Sequence, residues 1–90
     1  MSSPAELEAW RLAMWDAIDE IRARRRMHWT TLSRCAGLHE TAWHSAHIAE
    51  GRWPGTEAIS ALLTSLAVTP ADLAAMVDRY VAIRTRARAA

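Results

Sequence analysis

Cys35, His39, His44 and His47 are the side chains of this sequence that invite metal chemistry, because thiolate and imidazole are ligands that zinc takes. Helical spacing puts His44 and His47 on one face. Cys35, however, is expected to point into a core, no CxxC pair accompanies it, and no carboxylate completes a set. Neither a metal nor any other cofactor is therefore expected. Catalysis is not expected either, since no Ser/His/Asp arrangement, paired acidic site or glycine-rich phosphate loop occurs. Another chemistry suits the same stretch. Glu40, Thr41, His44, Ser45 and His47 are hydrogen-bonding side chains, and Arg24, Arg25, Arg26, Thr30, Arg34 and Arg52 stand on either side of them. Hydroxyl and imidazole groups reach base edges, whereas guanidinium forks grip phosphate oxygens without reading sequence. The chain has no Asn, Gln or Lys, so the usual adenine reader is missing, and shape and arginine would carry much of any specificity.

These residues need rigid elements to hold them. Ser3-Pro4-Ala5-Glu6 is a capping box with proline at the first helical position. Leu7, Trp10, Met14, Ile18 and Ile21 follow at spacings of three and four, predicting a first helix to about Arg25 with one apolar stripe. Leu12 and Trp15 fall outside that stripe. A break near Met27-His28 precedes a second helix with Thr30 as N-cap, Leu32, Cys35 and Ala36 as its apolar edge, and Gly37 as its stop. A third helix is predicted over about Glu40 to Ala49, ending at Gly51. After the Trp53-Pro54-Gly55 turn, Thr56 caps a fourth helix with Ile59, Leu62, Leu63 and Leu66 inward. Thr69-Pro70-Ala71-Asp72 repeats the cap-plus-proline signal and opens a last helix over about residues 70–88. Its Leu73, Met76, Val77, Tyr80, Val81, Ile83 and the alkyl part of Arg84 span an arc of about 160° at 100° per residue, wider than one small core needs. Trp10, Trp29, Trp43 and Trp53 are expected in the core, substituting for absent phenylalanine.

Composition agrees with five helices and no strands. The chain has 90 residues, 51% of them hydrophobic and 23% charged, which describes a single domain over residues 1–90 with room for one modest core. Alanine occurs 19 times and all 11 basic side chains are arginine, both favourable to helix. No apolar run is long enough for a membrane span. The N-terminus lacks the pattern of a secretory signal, and the lone Cys35 cannot form an internal disulfide, so a reducing cytoplasm is the expected location. The formal net charge of +1 conceals segregation. Arg22, Arg24, Arg25 and Arg26 close the first helix, and Arg79, Arg84, Arg86 and Arg88 lie along the last, each group following an acidic segment. One basic face and compensation of the helix dipoles are both consistent with this pattern.

With Gly37 at the ninth position of a helix-turn-helix over about residues 29–49, Leu32 and Ala36 pack the first helix inward. Ser33 sits where only a small side chain fits, Leu38 plugs the turn, and Trp43 and Ala46 bury the second helix's inner side. Downstream come Gly51-Arg52-Trp53-Pro54, a capped amphipathic helix, and Leu66-Ala67-Val68-Thr69-Pro70-Ala71-Asp72-Leu73. In that order, over about residues 18–77, the chain resembles the λ-repressor-like family (Cro/C1, or xenobiotic-response-element type). Within it, the chain is similar to phage-repressor-type regulators of GC-rich proteobacteria, and more weakly to Ner-like phage regulators. Two departures stand out: His39 occupies the recognition-helix N-cap where the family prefers serine, and the Gly37–Gly51 interval is about two residues longer than in the plainest members. No peptidase-like domain follows, so self-cleavage is not expected.

The resemblance implies an all-α, five-helix DNA-binding domain with extended first and last helices, acting as a phage or phage-derived transcriptional regulator. Residues of about 40–49 would enter the major groove, with Glu40, Thr41, His44, Ser45 and His47 toward bases and Arg24, Arg25, Arg26, Thr30, Arg34 and Arg52 on phosphates. Double-stranded operator DNA, pseudo-palindromic and read by a homodimer, is the implied partner. Met76, Val77, Tyr80, Val81 and Ile83 would form the two-fold interface, unless the first helix packs along them within one subunit. No small-molecule ligand is evident. The rival reading is an antitoxin-like or adaptor module in which Leu12, Trp15 and the last-helix arc engage another protein.

Overall fold

In a computed structural model the chain is described over residues 3–43 and 51–89. Its first helix, α1 (Pro4–Arg24), begins where the sequence predicts. The Glu6 backbone N–H donates to the Ser3 hydroxyl at 3.2 Å, and the Glu6 carboxylate accepts the Ser3 N–H at 3.1 Å. Helices α2 (Trp29–Cys35), α3 (Thr56–Leu66) and α4 (Pro70–Ala89) follow, with no strand among the described residues. The architecture is all-α with long first and last helices. Four helices are described, not five: residues 40–43 form turn and bend rather than the start of a predicted helix, and the remainder of that helix, 44–49, lies outside the described residues. No single helix among those described is long and apolar enough to cross a membrane.

Two of the predicted caps are displaced by backbone geometry. Extended His28, not Thr30, is the N-cap of α2, and its carbonyl accepts the Leu32 N–H at 3.0 Å. Gly55 rather than Thr56 precedes α3. The helix ends share a device that the sequence discloses only once. At the ends of α1, α2 and α3 the chain turns through a left-handed residue: Arg26 (φ 53°), Gly37 (φ 74°) and Ala67 (φ 55°). Each is bracketed by paired backbone bonds, Met27 N–H to Arg22 and Arg26 to Ala23, Leu38 to Ser33 and Gly37 to Arg34, Val68 to Leu63 and Ala67 to Thr64. These are Schellman closures, which satisfy carbonyls that a helix end otherwise orphans. Glycine adopts this φ without cost, whereas alanine and arginine hold it under strain.

The core is built from Ile18 and Ile21 of α1, Leu32 of α2, Leu62, Leu63 and Leu66 of α3, and Leu73 and Val77 of α4, with Trp15 and Trp43 meeting edge to face at 5.6 Å. The face α1 buries differs from the predicted stripe. Ala9, Ala13 and Ala17 turn inward with Ile18 and Ile21, while Leu7 and Trp10 are 50% and 42% exposed. Trp15, outside the stripe, is only 2% exposed, and its indole N–H donates to the Arg52 carbonyl at 2.7 Å. A row of alanines lets a neighbouring helix approach closely, so small residues rather than large ones set the rotation of α1. Trp53 is likewise exposed and Trp29 half-buried, so of the four tryptophans expected inside only Trp43 is fully enclosed.

The most extensive pairing joins α1 to α4. Its ion pairs climb one helix as they descend the other, so the two run antiparallel there. Arg84 forks onto Asp16 at 2.6 and 3.0 Å, while Glu20 accepts from Arg79 at 2.5 Å and from the Tyr80 hydroxyl at 3.0 Å. This seam covers much of the wide apolar arc of the last helix. Val77 is buried, Met76, Tyr80 and Val81 are half-buried against the core, and Ile83 alone of the five expected interface residues is exposed. Desolvation of Glu20 would by itself raise its pKa, but the hydrogen bonds from Arg79 and Tyr80 and the charges of Arg24 and Arg79 outweigh it. The carboxyl is held below its ordinary 4.5. Burial, then the bond to Glu20, pushes the Tyr80 phenol up. A carboxylate with a depressed folded value contributes stability above its unfolded pKa and loses it as pH falls through the folded one. Urea denaturation of wild type and Glu20→Gln is therefore expected to show a stability difference that is steady above the ordinary carboxylate range and shrinks as pH falls through and below it.

Candidate nucleic-acid interface

Ser33 holds the turn. Its side chain is fully buried, and its hydroxyl donates to the Trp29 carbonyl at 2.8 Å while accepting the Trp43 backbone N–H at 3.1 Å. One small polar group thus ties α2 to the segment ten residues on. The sequence identifies Ser33 by size alone; the hydrogen bond to Trp43 is an additional constraint, legible only once Trp43 is seen to turn inward. Gly37 completes the geometry, with the Ala61 side chain 3.9 Å from where its Cβ would stand and φ in the left-handed region. Leu38 is half-buried beside the core, Leu32 and Ala36 are enclosed, and the Ser65 hydroxyl donates to the Cys35 carbonyl at 2.9 Å, binding α2 to α3.

Beyond the turn, His39 bonds to the segment that follows it, but no helix begins there among the described residues. Its Nδ1 accepts the Thr41 backbone N–H at 3.3 Å and lies 3.0 Å from the Thr41 hydroxyl, a local side-chain turn rather than a helix cap, since residues 40–43 are turn and bend. Thr41 is exposed. Glu40 is ion-paired with Arg34, which occupies the carboxylate of one expected base reader and the guanidinium of one expected phosphate clamp with each other. His44, Ser45, Ala46 and His47 lie outside the described residues.

The expected phosphate clamps divide into two places. Thr30 and Arg34 are exposed on α2, and Arg52 is exposed in the turn after Gly51, its carbonyl fixed by Trp15. Arg26 is exposed at the left-handed residue between α1 and α2. Arg24 and Arg25 instead line a cleft between α1 and α4: Arg24 meets Glu20 at 3.3 Å, and Arg25 donates to the Leu66 carbonyl at 2.5 Å. Arg22, a member of the same cluster but not among the expected phosphate clamps, bonds Asp19 and the Met27 carbonyl and lies 5.4 Å over the Trp29 ring, bracing the start of α2. Among the described residues no three His, Cys, Asp or Glu side chains converge.

No protein-family model, curated protein or solved structure matches the chain. The geometry of the turn therefore stands on its own residues. Ser33→Ala removes the acceptor of a buried backbone N–H, a loss of about 1–3 kcal/mol. Chemical denaturation is expected to register that cost, with hydrogen exchange of the Trp43 backbone amide reporting loosening of the turn.

Proposed function

We propose that the chain is a sequence-specific double-stranded DNA-binding transcriptional regulator of the λ-repressor-like type, phage or phage-derived, acting in the cytoplasm on the nucleoid by binding without catalysis. The observation that carries this reading is the Ser33 clamp. Together with the left-handed Gly37 it ties the segment after α2 back onto α2, which supports a helix-turn-helix reading, while Thr30, Arg34, Thr41 and Arg52 remain on the outside. Thr41 reaches toward bases; Arg26, Arg34 and Arg52 take phosphates, Arg34 exchanging Glu40 for an oxyanion as the duplex arrives. His44, Ser45 and His47 complete the base-reading set. A homodimer on two pseudo-palindromic half-sites is the assembly this reading requires, and with Val77 buried and Met76, Tyr80 and Val81 half-buried, Ile83 is the most exposed member of the arc for a second copy.

The rival reading, a protein-interaction module, loses Trp15, which is buried, but gains the exposed Leu7 and also Trp10, which lines an apolar groove of about 440 Å³ between α1, α3 and α4. Fluorescence anisotropy against DNA upstream of the protein's own coding sequence separates the two. Arg34→Ala and Arg52→Ala are each expected to weaken binding by about 1–3 kcal/mol. Three phosphate arginines on each of two subunits predict a slope of log K against log salt near about −5. Arg26→Gly relieves a strained φ, so it is expected to stabilise the fold by about 0.5–1 kcal/mol while weakening DNA binding. Ala67→Gly, matched in strain but away from the interface, is expected to raise stability and leave affinity unchanged. Undiminished affinity in the arginine variants, or no duplex binding, rejects the regulator and favours the adaptor.

A further inference from the structure

We propose that the cleft between the end of α1 and the first half of α4 binds a small organic anion, an oxyanion carried on a compact apolar body. The cleft holds about 470 Å³, within the range of small-ligand sites. Arg24, Arg25 and Arg79 stand around it, and Ile21, Val68 and Met76 supply apolar surface. Two carboxylates oppose the three guanidiniums: Asp72 in the wall and Glu20, which both Arg24 and Arg79 contact. The balance leaves one positive charge for a ligand to neutralise. Asp72 is already engaged at the start of α4, where it accepts the Thr69 backbone N–H at 3.4 Å.

The arginines have donors to spare. A guanidinium carries five N–H groups in a planar fork suited to two oxygens at once. Arg79 commits one terminal nitrogen to Glu20 and Arg25 commits one to the Leu66 carbonyl, while Arg24 approaches Glu20 at 3.3 Å without hydrogen-bond alignment. An oxyanion seated among them replaces that loose approach with charge-assisted hydrogen bonds, and its apolar body covers Met76 and Val68. No lining residue is one of the proposed DNA contacts, although Arg25 adjoins Arg26, so the ligand is sought in the absence of DNA.

The test is a titration of the full chain, observed by backbone and arginine Nε–H NMR. Benzoate and phenyl phosphate are the probes, with neutral benzyl alcohol and inorganic phosphate as comparators. Saturable shifts at Arg24, Arg25 and Arg79, larger than at Arg86, are expected from an aromatic anion, whether carboxylate or phosphate; the tighter of the two identifies the oxyanion. Both comparators are expected to bind about tenfold more weakly or worse, since each lacks one half of the recognition. Arg79→Met is expected to weaken the aromatic anion by a similar factor and Arg86→Met to leave it unchanged. Because Arg79 also braces α1, the wild-type shift map decides the question without any variant. Non-saturating shifts, shifts equal at Arg86, or benzyl alcohol binding as tightly as benzoate overturns the site. So do cleft shifts that arise with duplex DNA and not with either aromatic anion, because the arginines would then belong to the nucleic-acid face.

Discussion

The Ser33 hydroxyl lies where α2, the Gly37 turn and Trp43 meet, and it serves as donor to one backbone and acceptor from another. Remove it and Trp43 loses the bond that holds its main chain against α2. The Trp43 ring in turn packs edge-on to Trp15, whose indole N–H fixes the Arg52 carbonyl. A buried chain of contacts thus runs from the turn after α2, through α1, to the loop before α3. Both loops that carry candidate DNA-contacting residues are positioned by it. Buried polar groups of this kind are stabilising only when fully satisfied, which gives Ser33 its weight beyond its size.

Around this centre the arginines work at several tasks. Some brace helices: Arg84 on Asp16 and Arg79 on Glu20 lock α1 to α4, Arg25 closes the end of α3, and Arg22 steadies α2. Others face solvent beside α2 and its following loop. The near-neutral overall charge thus combines internal pairing with local basic surfaces. Members of one cluster take different partners: Arg22 bonds Asp19, Arg24 meets Glu20, Arg25 bonds the Leu66 carbonyl, and Arg26 is exposed.

Much of the fold is legible in the residues. The Ser3-Pro4-Ala5-Glu6 and Thr69-Pro70-Ala71-Asp72 boxes announce their helices, Gly37 marks its turn, and Leu62, Leu63 and Leu66 give the inner face of α3. What the sequence conceals has common causes. In an alanine-rich helix the small residues that permit close approach look no different from those on the surface, so Trp10 and Trp15 exchange their expected places. Left-handed Arg26 and Ala67 carry no glycine signature, and their turns arise from the Schellman bonds that close α1 and α3. A long arginine side chain can swing to either side of its helix, and sequence position alone does not tell Arg25, bound to Leu66, from Arg26 beside it. For the candidate site, the exposure of Arg34, Thr41 and Arg52 is legible in the sequence; the pairing of Arg34 with Glu40 is not, because it forms across a turn rather than along a helix.

The central claim is that the outer side of α2 and of the segment it clamps is the surface that meets DNA. Amide chemical-shift mapping during titration with a duplex from the protein's own promoter addresses it residue by residue. The account predicts the largest changes at Thr30, Arg34, Thr41 and Arg52, with Leu7, Trp10 and Leu73 unmoved. Changes concentrated at Leu7 and Trp10, with residues 30–43 silent, would contradict it.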